Sequence, residues 1–177
     1  MKDLKELKKI FDPILKQYLD NKIEKFSKNI TDPFILNIVN YPKKLTETGG
    51  KRIRPFIAYL IYEALGGKET EKALKLFTSL EIFHIFCLVH DDIIDKSSTR
   101  HNIQTTQNYV TEELSRNKRN GDLKHIGNSQ AILIGDLLFA WALEIFDKNE
   151  YSDNEKLKTA KQYFYKMIDD VFLGQLI

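Results

Sequence analysis

Apolar residues recur at helical spacing along almost the whole chain, which leaves little room for any other element. Leu4, Leu7, Phe11, Ile14 and Tyr18 form a first stripe, continued by Ile23 and Phe26, with Asp12-Pro13 reading as a helix restart. Thr31-Asp32-Pro33 predicts a second helix that reaches about Val39 before Pro42 interrupts it, and Gly49-Gly50 is a stop. Arg54-Pro55 opens a third helix, whose apolar run from Phe56 to Leu65 ends at Gly66-Gly67. The next helix spans Thr70 to about Lys96. Between Leu80 and Val89 only Glu81 and His84 interrupt its apolar surface, so other helices must surround it. The polar stretch 107–127 reads as a long surface loop. Asn128 to about Asp147 is a further helix, and a last one starts at Asp153, with apolar Leu157, Ala160, Phe164, Met167, Ile168 and Val171. No strand alternation and no internal repeat is present. With only eight glycines and four prolines in 177 residues, the fold class is all-α with long helices.

Charge and composition narrow the function classes. A net charge of +2, with lysines and acids interspersed, argues against a nucleic-acid partner. A single cysteine, Cys87, excludes a disulfide framework and a cysteine-based zinc cluster. The N-terminus MKDLKELKKI has no apolar core of a signal peptide, and Asp136 and Glu144 break the longest apolar run. The expectation is a cytoplasmic chain with no membrane span.

Three clusters carry chemistry. Asp91-Asp92-Ile93-Ile94-Asp95 ends the buried helix. Asp91 and Asp95 share one helix face, with Asp92 beside them, at the negative end of the helix dipole. Carboxylates so placed repel one another unless a cation neutralises them, and Mg²⁺ takes such hard oxygens together with water and phosphate. Lys51, Arg52 and Arg54 follow the Gly49-Gly50 bend at a helix start, a natural phosphate site. Arg100, five residues past Asp95, is a candidate phosphate clamp, and His84 lies two turns before Asp91 on its face. Each cluster has a bland counterpart, a solvated acidic turn, a solvated basic turn or a satisfied core histidine. Together they describe a site for a molecule with a diphosphate head and an apolar tail.

These motifs resemble those of the trans-isoprenyl diphosphate synthases, the polyprenyl synthetase family, from about Leu45 to the last residue. GGKRIRP at 49–55, DDIIDKSSTR at 91–100, GDLLFAWA at 135–142 and GQLI at 174–177 are similar to four family motifs in the family's order. The resemblance implies an isoprenoid-synthase helical bundle and head-to-tail prenyl transfer. It implies Mg²⁺ on Asp91 and Asp95, supported by Asp92, with Arg100 on the allylic diphosphate and His101 among the substrate-binding residues. Lys51, Arg52, Arg54 and His84 would hold isopentenyl diphosphate, and Gln175 would face the allylic pocket. Asp136 is expected to be a buried structural carboxylate. Phe86, with Phe83 below it and small Cys87 beside it, would floor the apolar channel. That pattern is similar to archaeal-type geranylgeranyl diphosphate synthases.

The sequence departs from the family pattern in places. His101 stands where a second arginine is usual, Gln104-Thr105 replaces Pro-Thr, and the spacing from Arg100 to Gly135 implies a surface insertion near 107–125. The family's second aspartate-rich motif and later phosphate-binding lysines are missing, and the apolar Val171–Ile177 segment has no stop signal. Residues 1–177 therefore read as one partial domain, the N-terminal half of the bundle. A second polypeptide would carry the other half, giving a heterodimer or heterotetramer. A non-catalytic scaffold subunit and a fragment of an ordinary synthase are the alternatives.

Overall fold

A computed structural model describes residues 3–48, 50–100 and 102–177. Among these residues there are seven helices: α1 (Leu4–Ser27), α2 (Pro33–Glu47), α3 (Ile53–Ala64), α4 (Thr70–Ile94), α5 (Thr106–Arg116), α6 (Leu123–Asp147) and α7 (Asn154–Leu176). A short antiparallel hairpin lies between α4 and α5. Its strands, β1 (Thr99–Arg100) and β2 (Ile103–Gln104), pair Thr99 with Gln104 and Arg100 with Ile103. The fold is all-α.

Local chemistry sets most helix starts. Asp3 and Glu6 form a reciprocal capping box, in which the Glu6 amide donates to Asp3 Oδ1 at 2.8 Å and the Asp3 amide donates to Glu6 Oε2 at 3.1 Å. Asp32 accepts from the Phe34 amide at 2.9 Å, ahead of Pro33 at the first helical position. Asp153 caps α7 in the same way, accepting from the Lys156 amide at 3.0 Å.

Two prolines do not end their helices as the sequence suggests. α1 runs through Pro13, which is exposed, so the Lys9 carbonyl that loses its helical partner faces the solvent side. The Leu7, Phe11, Leu15 and Leu19 stripe on the opposite face is buried throughout and holds the helix continuous. α2 continues through Pro42 because its far half is anchored. Tyr41 stacks on Tyr109 of α5, with ring centroids 3.8 Å apart, and its hydroxyl donates to the Gln104 carbonyl at 2.8 Å.

The core is the α4–α6 pair with α1, α3 and α7 packed around it. Both central helices are long and apolar enough to cross a membrane by length and composition, yet much of their apolar surface is met by protein here. The stretch 107–127 corrects the expected surface loop. α5 and the first turn of α6 occupy it, leaving only 117–122 between helices. Val110 and Leu114 are spaced four apart and join Phe34, Ile38 and Ile134 in a second, smaller core. Two apolar residues among many polar ones are too few to raise a periodic signal, although they suffice to pin one helix face. Leu114→Ala is expected to cost about 2 kcal/mol or more, the price of a buried leucine truncation. Thermal denaturation checks it, since a residue in a solvated loop would leave the melting point unchanged.

Candidate functional site

α4 carries Asp91 and Asp92 in its last turn and Asp95 at its C-cap, and each of the three meets a different environment. Asp95 is exposed, Asp91 half-buried, and the Asp92 side chain only 2% exposed. The buried charge is met by Arg100, which the hairpin folds back beneath the helix end. Arg100 Nε donates to both Asp92 oxygens at 3.0 Å, and Nη2 donates to Oδ1 at 2.7 Å. That pairing raises the Arg100 pKa further. It leaves Nη1 out of the contacts to Asp92.

The turn between Asp95 and Arg100 is held from α5. Gln107 Nε2 donates to the carbonyls of Asp92 and Ser97, both at 2.9 Å, and Thr105 Oγ1 donates to Ser97 at 3.0 Å. These bonds add to the Ser97 amide, which donates to the Asp92 carbonyl at 2.9 Å, in closing the turn after α4. The role of Gln107 is not visible in the sequence, because its polar amide is part of the signal that makes 107–127 read as a surface loop.

Desolvation raises the Asp91 pKa; Arg100 opposes this while Asp95 and Asp92 add to it. The fold thus binds a proton on Asp91 more tightly than the unfolded chain does. The associated stability is present at low pH and is lost as pH rises from the ordinary carboxylate range through the raised value. A cation between Asp91 and Asp95 removes the same repulsion. Among the described residues no three His, Cys, Asp or Glu side chains form a ready-made metal cage. Two hard-oxygen carboxylates completed by water and phosphate suit Mg²⁺ under that condition.

The basic motif lies at the start of α3, with Lys51 and Arg54 exposed. Cys87 lies one turn before Asp91 on α4. Burial and the Asp91 charge push its thiol up to about 11, while the Arg54 charge pulls it down. One side of α4 therefore feels a carboxylate from its own end and a cation from α3. Half-buried His84 precedes Cys87 by three residues on the same helix.

Arg52 does not belong to this open set. It is 5% exposed and has a left-handed backbone (φ 55°). Its Nε donates to Asp12 at 2.7 Å, Nη1 to Glu81 at 2.7 Å and Nη2 to the Thr46 carbonyl at 2.6 Å. Its fork ties α1, α2 and α4 together and leaves no face for substrate. Gly50 is required beside it, because a β-carbon there would overlap Arg52 Nη1. The three adjacent cations look alike in sequence, and only packing separates the buried one from the two exposed ones.

Phe86 and Phe83 are each 4% exposed and belong to an aromatic block shared by α4, α6 and α7. Phe86 has ring centroids 5.2 Å from Phe139 and 5.8 Å from Phe172, and Phe83 lies 5.7 Å from Phe164. Gln175 is exposed on the last turn of α7, and no hydrogen bond joins it to the Asp91 group. Asp136 corrects another expectation. Its side chain is 58% exposed, because it points out of α6 beside His90 and not into the core. His101 and Gly49 lie outside the described residues. Two clefts, of about 660 and 350 Å³, lie away from the acidic motif, one beside Tyr62 and Tyr151 and one beside Tyr18 and Lys75.

The bundle is all-α, with paired carboxylates at the end of its central helix and a basic segment at the start of α3. The polyprenyl synthetase family model matches residues 36–177, and the chain belongs to that family. It is 32% identical over 149 residues to a short chain isoprenyl diphosphate synthase of Methanothermobacter thermautotrophicus, covering 83% of this chain and 39% of that one. It is 38% identical over 111 residues to a geranylfarnesyl diphosphate synthase of Aeropyrum pernix, covering 60% of this chain and 29% of that one. The crystal structure of geranylgeranyl pyrophosphate synthase from Corynebacterium glutamicum, complexed with isoprenyl diphosphate and magnesium, superposes with a TM-score of 0.88 at 32% identity, over 99% of this chain and 50% of that one. The chain thus spans half or less of the length of these relatives.

Arg100→Ala is expected to cost about 3 kcal/mol, since it leaves Asp92 buried without its partner. Adding Asp92→Asn should recover much of that loss. Chemical denaturation of both variants checks the pair, and independent, additive effects would show that the two residues do not act together.

Proposed function

We propose that this chain contributes one half of a prenyltransferase site that joins isopentenyl diphosphate to an allylic diphosphate. The observation that carries the reading is the family match over residues 36–177, together with Asp91 and Asp95 at the exposed end of the apolar helix α4. Asp91 and Asp95 hold Mg²⁺ against the allylic diphosphate, and Arg100 presents Nη1 to the same group. Lys51, Arg54 and His84 hold isopentenyl diphosphate. When bound, Mg²⁺ neutralises charge on the departing diphosphate. The allylic C–O bond breaks with its electron pair leaving on diphosphate, the isopentenyl double bond attacks the allylic carbon, and a proton leaves the adduct. The cations of this chain stabilise the departing charge, which is electrostatic catalysis. The Phe83, Phe86 and Phe139 block keeps water from the carbocation.

The half described here leaves apolar faces uncovered. Ile57 (49%) and Ile61 (55%) of α3, Leu133 (62%) of α6 and Leu173 (59%) of α7 are exposed. Exposed apolar side chains of this kind suit an interface. A second polypeptide with the complementary half of the bundle, including the second aspartate-rich motif, covers these faces in a heterodimer or heterotetramer. Two further elements of this reading are a twenty-carbon product, geranylgeranyl diphosphate, and a cytoplasmic setting.

The test is turnover of isopentenyl and allylic diphosphates with Mg²⁺, by the chain alone and by the chain with a partner carrying the complementary half. Activity is expected only from the assembly, and Asp91→Ala is expected to lower kcat about 100-fold or more. Activity from the chain alone would refute the need for a partner, and full turnover by Asp91→Ala would make this chain a scaffold. Phe86→Ala, which removes the centre of the aromatic block, is expected to lengthen the product as seen by chromatography. An unchanged product profile would remove Phe86 as the channel floor.

A further inference from the structure

The Gly135-Asp136 pair opens one of the four motif segments and has no part in the chemistry above. The structure gives it a neighbour. His90, the residue before Asp91, lays its ring over Gly135, where a β-carbon would overlap the His90 ring atoms Nε2 and Cδ2. Its Nε2 lies 3.2 Å from the Ile132 carbonyl and 3.7 Å from Asp136 Oδ1. A carbonyl only accepts, so Nε2 carries a hydrogen and donates to it. In a regular helix that same carbonyl accepts from the Asp136 amide, so α6 receives the ring at a fixed height. Phe86, one turn back on α4, backs the ring edge-on with centroids 4.7 Å apart at 64°.

This contact answers a problem set by the sequence of α4. A helix that is apolar nearly all round can rotate or slide among its neighbours at little hydrophobic cost. Its carboxylates nevertheless need one direction. Consecutive side chains on a helix diverge by about 100°, so fixing where His90 points fixes where Asp91 and Asp95 point. We propose that His90 is a positioning residue. Seated in the Gly135 notch and bonded to the Ile132 carbonyl, it sets the rotation and depth of α4 against α6 and so aims the Asp91–Asp95 pair. This inference rests on the reading that the pair holds divalent metal with diphosphate.

The experiment is a calorimetric titration of Mn²⁺, in the presence of inorganic pyrophosphate, into the chain assembled with its complementary half. Kinetics on the same samples accompany it. His90→Phe keeps the ring but loses the donor, and Gly135→Ala fills the notch. Both are expected to weaken Mn²⁺ binding about tenfold, as loss of a support behind a metal ligand does. Both should also lower kcat. His90→Gln, which places an amide donor near the Nε2 position, is expected to restore binding. A His90→Phe titration that matches the wild type would overturn the proposal. If the bulkier variants fail to assemble, equal Mn²⁺ binding by His90→Gln and His90→Ala overturns it, and weaker binding by His90→Ala supports it. Asp91→Ala in the same titration separates the two levels. Undiminished Mn²⁺ binding there would sink the metal-site reading itself.

Discussion

Asp92 is a carboxylate buried at the end of an apolar helix, and Arg100 is the reason it can stay there. A charge taken out of water costs several kcal/mol unless a well-aligned partner and further hydrogen bonds replace the lost solvation. The Arg100 guanidinium supplies three contacts of 2.7–3.0 Å to the two Asp92 oxygens. For that fork to reach back, the chain must reverse direction within a few residues. The hairpin and the left-handed Lys96 and Asn102 make the reversal. Gln107 and Thr105 at the start of α5 then hold the turn by its carbonyls. One buried ion pair thus accounts for the conformation of the whole segment from α4 to α5. It also divides labour among three adjacent acids, with Asp92 holding structure while Asp91 and Asp95 stay available.

A comparable division runs through the basic motif. Arg52 is the structural member, forked between Asp12 and Glu81, while Lys51 and Arg54 remain outside. Burial of Glu81 at the middle of α4 makes sense only with that partner in place. Arg52, Arg100 and the His90 contact give α4 three directional anchors along a surface that hydrophobic packing would leave free to turn. Apolar burial drives the association of these helices, and the polar anchors decide the orientation in which they associate. Near agreement in fold with a synthase crystal structure, over 99% of this chain but half of the other, fits a unit organised from its central helix outward.

Much of this was legible in the residues themselves. The 3.6-residue periodicity, the helix starts at Asp32 and Asp153 and the all-round apolar α4 gave the helices, because these signals are local and repeat. The acidic and basic motifs were legible because their chemistry needs particular residue types at short spacing. Packing decided the rest. Pro13 and Pro42 signal breaks locally, and side chains many residues away overrule them. Val110 and Leu114 turn a polar stretch into a packed helix only because Phe34, Ile38 and Ile134 meet them. Which of three neighbouring cations is buried, which of three neighbouring acids is neutralised, and that Asp136 faces outward are outcomes of long-range contact. Sequence spacing encodes which residues share a helix face; it does not encode which face meets another helix and which meets water.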